Sequence, residues 1–248
     1  MRADARLQAK RRGEEPDKVD RFNYLATHPA PVERVQRAEA IAAATRVKNP
    51  MRAAEIYLSK IDGMLFGDDP EQGFIRGSVF AHPRLRFRFE VPEGFRLFNS
   101  SRSVVGLGPR GARIIFDRAR KPVDGPMRYY LSKIWARGLK LKELESITIN
   151  GLKAATATSG LETNKGWRDV RLVTIRIDLQ TIYRFMFLTP PADTGKLSLT
   201  LRRTTYSFRR LTAAEAGRLK PLRVKIVTVR ATDTVASMGG RMPFAQFG

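Results

Sequence analysis

Between residues 84 and 91, Leu85, Phe87, Phe89 and Val91 alternate with Arg84, Arg86, Arg88 and Glu90. This period of two predicts a strand with one buried face. Pro92-Glu93-Gly94 supplies a turn and residues 95–99 continue the sheet. Val104-Val105 and residues 113–117 read as strands joined by a glycine-rich hairpin. Further strands are expected over 146–155, 169–178 and 181–189, with Asp178-Leu179-Gln180 as a turn, and over 222–230, where Leu222, Val224 and Ile226 share a face.

A helical period governs other stretches. Residues 4–12 predict a short polar helix, and Pro31 opens a helix whose Val32, Val35, Ala38 and Ile41 or Ala42 fall on one side. Asn49-Pro50 ends it, because a residue before proline avoids the helical region. Residues 53–61 form another helix, and 127–137 a third with Tyr130, Ile134 and Trp135 turned inward. Leu197, Leu201 and Phe208 lie at helical intervals, and Thr212-Ala213-Ala214-Glu215 is a capping box opening a helix that stops at Pro221. The plan is α+β: N-terminal helices, then an antiparallel sheet with flanking helices. The expected organisation is a helical region 1–60, a Gly-, Asp- and Pro-rich linker 61–77, an α+β domain 78–230 and a separate tail 231–248.

Short motifs punctuate this pattern. Thr27-His28-Pro29-Ala30-Pro31-Val32-Glu33-Arg34-Val35 resembles the threonine-histidine-proline element of bacterial CAAX-prenyl-protease-like (beta-barrel assembly-enhancing protease-like) zinc metallopeptidases. Ile61-Asp62-Gly63-Met64, Pro70-Glu71-Gln72-Gly73-Phe74, Pro92-Glu93-Gly94-Phe95, Ser207-Phe208-Arg209 and Asp233-Thr234-Val235 resemble the C-terminal extension of envelope members of that family. The resemblance covers nearly the whole chain. It implies the C-terminal, non-catalytic region of an envelope zinc metalloendopeptidase, with residues 1–60 a remnant of the peptidase domain. A substrate-positioning or docking role follows, with the catalytic domain or protein substrates as partners. The sheet order is similar to the fold of the photosystem oxygen-evolving subunit and the Ran-binding protein Mog (PsbP/Mog-like). The tail from Ala231 is similar to the opening of a LysM-like carbohydrate-binding repeat, with Thr232 where that repeat has glycine.

Zinc catalysis in that family needs His-Glu-x-x-His on one helix, so that two imidazoles grip the metal and the glutamate activates water. This chain has two histidines, His28 and His82, neither in that spacing, and no cysteine. It is expected to bind no zinc, the cofactor of the intact family, and to be inactive alone. The resemblance places His28 near the active site of an intact relative.

The chain has 248 residues, 42% of them hydrophobic, enough for a substantial core. Its first residues are polar, and no stretch approaches the ~20 apolar residues that span a bilayer, so neither a signal peptide nor a transmembrane segment is expected. A periplasmic or envelope location is implied only by the resemblance. The net charge of +22 raises a second reading, a free-standing basic module for an anionic partner such as lipid headgroups or nucleic acid. Lys and Arg outnumber Asp and Glu by 13 to 8 in residues 1–60 and by 33 to 16 in 61–248, so the excess is spread rather than clustered. No nucleic-acid motif accompanies it, and specific nucleic-acid binding is not expected. Arg168, Arg171, Arg176 and Arg184, on adjacent predicted strands, are the candidate anion site.

Three further patterns compete with structural explanations. Gly106-Leu107-Gly108-Pro109-Arg110-Gly111 matches a dinucleotide fingerprint, but it runs into the strand-like Ile114-Ile115-Phe116 rather than a helix, which predicts a hairpin turn. Asp62, Asp68, Asp69 and Glu71 form an acidic cluster whose spacing fits no calcium loop and suits turns. His82, before Pro83, reads as a loop residue.

Overall fold

The computed structural model describes residues 31–44, 51, 53–121, 123–164 and 166–242. The chain forms two compact units, Met1–Glu55 and Ile56–Gly248. In the first, the helix expected at Pro31 is α1 (Pro31–Ala44), with Val35 and Ile41 exposed. His28 and the 4–12 helix lie outside the described residues.

In the second unit, seven antiparallel strands are ordered β5-β6-β7-β11-β10-β9-β8. They are β5 (Arg96–Asn99), β6 (Ser103–Leu107), β7 (Arg113–Arg118), β8 (Lys142–Ile149), β9 (Leu152–Thr163), β10 (Gly166–Asp178) and β11 (Thr181–Thr189). A four-stranded sheet, in the order β12-β4-β3-β2, contains β2 (Phe74–Arg76), β3 (Val79–His82), β4 (Phe87–Glu90) and β12 (Arg209–Arg210). The alternation at 85–91 holds at Phe87, Phe89 and Val91, all buried, whereas Leu85 sits in the preceding turn and is exposed. One face of the large sheet packs against the small sheet and against α4 (Pro191–Ser207). Its centre is aromatic: Phe89, Phe116, Phe185 and Phe208 lie with ring centroids 4.7–6.1 Å apart. The other face carries Ala155, Ala157, Val170, Leu172 and Ile182 and is covered by α3 (Met127–Tyr129), which widens into a π turn over Tyr130–Trp135.

The α+β class, with antiparallel sheets and flanking helices, is thus as expected, and each deviation from the expected elements has a physical cause. Residues 146–155 hold a hairpin, not one strand. Asn150 and Gly151 both take positive φ (45° and 80°), the geometry of a two-residue primed turn between β8 and β9. Residues 61–77 are not a bare linker: they contribute β2, with Phe74 buried, and β1 (Leu65–Phe66), which pairs with β13 (Leu222–Arg223). The strand expected over 222–230 is confined to β13, and Val227 and Val229 are exposed. Widening the helix by one residue per turn rotates its inner face, so Met127, Tyr130 and Leu131 are buried while Ile134 is exposed.

The short helices cap as their sequences dictate. Before α5 (Ala213–Arg218), Thr212 and Glu215 exchange both hydrogen bonds of a capping box. Hydrogen bonds from Arg209, with help from the Thr212 backbone, hold the Glu215 carboxyl down to about 2. Thr234 and Ser237 cap α6 (Val235–Gly239) in the same way. Beyond Met242, the tail lies outside the described residues. The helix expected over 53–61 is α2 (Ala54–Ile61). No described helix is long and apolar enough to cross a membrane.

Candidate binding groove

Strand alternation divides the four candidate arginines between the two faces of the large sheet. Arg184 on β11 lies on the face covered by the π turn and is paired with Asp117 of β7, directly opposite in register. Its Nε donates to Asp117 Oδ1 at 2.6 Å and Nη2 to Oδ2 at 2.5 Å, while its guanidinium stacks 4.9 Å from the Trp135 ring. Burial pushes the Arg184 pKa down, but the hydrogen bond and charge of Asp117 outweigh it, and the net shift is upward. Arg176 donates to the carbonyls of Val123 (2.5 Å) and Gly125 (3.2 Å), tying down the approach to α3. Arg168 donates to its neighbour Trp167 O. Of these three, Arg184 and Arg176 are committed across the fold, and Arg168 is bonded only to an adjacent carbonyl.

Arg171 differs. It points to the opposite face, is half-buried, and has no hydrogen-bond or ion-pair partner among the described residues. It lies where two adjoining clefts meet beside α4. The larger, about 790 Å³, is lined by Lys140, Lys142, Thr158, Trp167, Asp169 and Ser198 among others. The smaller, about 270 Å³, adds Glu145, Arg202 and Tyr206. Both clefts share Glu143, Thr158 and Arg171 and form one open groove across β8, β9 and β10.

Its floor has a defined shape. Trp167, Asp169 and Arg171 alternate along β10 and so project on one side, with roughly 13 Å between the first and last Cα. Trp167 is 51% exposed, yet its ring is seated: a Cβ on Gly160 of β9 would fall 2.0 Å from it, so only glycine lets the indole lie against that strand. Asp169 accepts from Thr194 at 2.7 Å, and Thr194 in turn meets Thr189 at 2.7 Å, which docks the start of α4 on the sheet. A second clamp holds the same helix: Arg110, at φ 52° in the β6–β7 hairpin, grips the buried Asp193 through Nε (2.8 Å) and Nη2 (2.7 Å). The groove wall is therefore fixed, while Lys140, Lys142 and Arg202 reach solvent from its rims. Of the four candidate arginines Arg171 lines the groove, while Lys140, Lys142 and Arg202 on its rims carry no sequence signal that marks them as candidates. The signal that could have found the floor is the Trp167-x-Asp169-x-Arg171 alternation.

The other candidates resolve into structure. His82 is buried, its Nδ1 accepts from Leu85 N at 3.2 Å, and burial lowers its pKa, so it is a neutral imidazole. The glycine motif is the β6–β7 hairpin, with Leu107 opposite Arg113, and a side chain at Gly108 would strike the Phe95 ring at 2.3 Å. The acidic residues serve turns: Asp62 accepts from Ile226 N, Asp68 from Ile75 N and Asp69 from Glu71 N, while Glu71 pairs with Arg84. Among the described residues, no group of three or more His, Cys, Asp or Glu could hold a metal ion.

No family model and no curated protein sequence matches this chain. Among solved structures, it is similar to cyanobacterial PsbP from Synechocystis sp. PCC 6803 (15% identity, 56% of this chain and 95% of that one, TM-score 0.43). It is also similar to LpqN of Mycobacterium tuberculosis, a protein involved in cell envelope biogenesis (14%, 66% and 100%, 0.42), and to the Ran-binding protein Mog1p of Saccharomyces cerevisiae (10%, 57% and 98%, 0.38). These similarities concern the fold class.

Proposed function

We propose that this chain is the C-terminal, non-catalytic region of an envelope zinc-dependent metalloendopeptidase, placed in the periplasm or cell envelope. There it positions protein substrates for proteolysis and quality control, or docks the catalytic domain. The observation that carries this reading is where the five motifs resembling the C-terminal extension fall: they lie in the second unit, four of them at its joints. Asp62 ties the Ile61–Met64 turn to Ile226, and Gly73 lets Phe80 close over the entry to β2. Phe95 packs over Gly108, while Ser207 bonds to Glu90 N and O and Phe208 is fully buried. A resemblance concentrated at the joints of a self-closing core is one of folding unit rather than of catalytic apparatus.

Among the described residues, no three His, Cys, Asp or Glu side chains converge as a zinc site requires, and His82 Nδ1 already accepts a backbone N–H. The purified chain should retain substoichiometric zinc after dialysis and show no chelator-sensitive cleavage of casein; stoichiometric metal would refute this. The decisive test of the docking reading is genomic. An in-frame or frameshifted His-Glu-x-x-His segment immediately upstream of the Met1 codon supports it, and a promoter there with no such remnant refutes it.

A second reading, a basic module for an anionic partner, is favoured by Lys140, Lys142, Arg171 and Arg202 converging on one groove. Diffuse attraction to anionic vesicles or DNA would collapse between low and moderate salt.

A further inference from the structure

The groove beside α4 combines features that neither a structural patch nor a polyanion track requires. A half-buried guanidinium on its floor has no partner among the described residues, although Arg176 and Arg184 on the other face of the same two strands are fully engaged. Taking a cation partly out of water without a counter-charge costs free energy unless a ligand restores it. Two carboxylates, Glu143 and Glu145, face the same space, and Asp169 lies further along the floor. Four cations against three acids leave a small net positive charge, suited to a single negative head rather than to a chain with an anion at every residue. Trp167, held flat by Gly160, offers an apolar face about two strand positions beyond Asp169. Ser198 adds a hydroxyl for amide groups, and Thr158 Oγ1 donates to Glu143 Oε2 at 3.1 Å.

We infer that this groove binds the C-terminal end of an extended peptide. Its free carboxylate is taken by Arg171, with Lys142 nearby, and an apolar side chain near the terminus rests on Trp167. Guanidinium and carboxylate match as two parallel N–H···O bonds, the geometry that an unpaired arginine on a rigid strand can supply without rearrangement. The cleft volume of about 790 Å³ lies in the range that accommodates a small ligand or a few residues of peptide. The inference rests on the docking reading only for the ligand's being a peptide.

The test is a fluorescence titration of the full chain, whose two tryptophans are Trp135 and Trp167, with acetyl-Phe-Ala-Ala as free acid and as C-terminal amide. The acid should change the emission saturably, and the amide should bind about 10–100-fold more weakly, the loss expected for a charge-assisted hydrogen-bonded pair. Arg171→Gln should remove the acid-over-amide preference, and Arg171→Lys should restore part of it. Ser198→Phe, an exposed change on α4, should block both peptides by filling the cleft, so the result does not depend on how well the arginine variant folds. Equal binding of acid and amide, no saturable binding of the acid, or wild-type preference in both Arg171→Gln and Ser198→Phe would overturn the inference. Those results would leave the docking reading to its genomic test. Conversely, an acid-selective groove would stand even if no peptidase segment lay upstream.

Discussion

The two faces of the seven-stranded sheet treat the same residue type in opposite ways. Beneath the π turn, Arg184 is locked between Asp117 and Trp135, and Arg176 is spent on two backbone carbonyls. Beside α4, Arg171, only a few residues away on β10, meets a groove and has no side-chain partner among the described residues. A surplus of cations therefore has no single meaning in this protein. Which arginines are structural is decided by strand parity, since one step along a strand moves a side chain from a closed layer to an open one.

The largest expected effects test whether both faces are true cores. Phe185 and Leu131 are each 0% exposed, one under the small sheet and α4, the other under the sheet's opposite face. Phe185→Ala should cost about 3–5 kcal/mol and Leu131→Ala about 2–5 kcal/mol in urea unfolding. A loss near zero for either would mean that its face is not closed and that the contrast between faces has no basis.

A smaller effect separates the arginines. Arg184→Gln leaves the partly buried Asp117 carboxylate without its cation and should cost about 2 kcal/mol. Arg168→Gln, which loses one bond to a neighbouring carbonyl, should stay within about 0.5 kcal/mol. Equal losses would erase the distinction between committed and surface cations.

A pH series sharpens the picture at one end of the α4-side core, where His82 is buried beside Phe80 and Phe87. Its folded pKa is lowered by burial, so the stability it contributes is complete above its ordinary value near 6.5 and is lost as pH falls below that point. Protonation would also end the acceptance from Leu85 N. Chemical denaturation between pH 7.5 and 5 should show a decline of at most about 1.4 kcal/mol per pH unit, absent in His82→Gln. An identical slope in that variant would assign the titration elsewhere.

Much of the scaffold could be read from local chemistry. Phe87, Phe89 and Val91 on a half-buried strand, Thr212 with Glu215 at a helix start, and the β6–β7 hairpin each carry their signal within a few residues. The failures have long-range or subtle causes. Phe74 becomes part of a strand only because Ala81, seven residues on, pairs with it, and the 222–230 run stops at Arg223 because β1 offers just two residues to pair with. The Asn150-Gly151 turn was locally visible but was overrun by the apolar pattern on both sides. The helix at 127–135 kept its place while its inner face rotated, since widening to a π turn leaves no mark in a 3.6-residue period. The groove was the least legible element: its lining comes from residues 138–206, and whether an arginine has a partner depends on what lies across the sheet.

The most direct measurement of the central claim pairs thermal unfolding with peptide titration for Arg171→Gln and Arg184→Gln. If one face holds its arginine for stability and the other for a ligand, Arg184→Gln should lower Tm by roughly 4–8 °C while keeping the preference for the peptide acid. Arg171→Gln should leave Tm within about 2 °C and abolish that preference. A Tm loss in Arg171→Gln as large as that in Arg184→Gln, with peptide selectivity unchanged, would contradict the account.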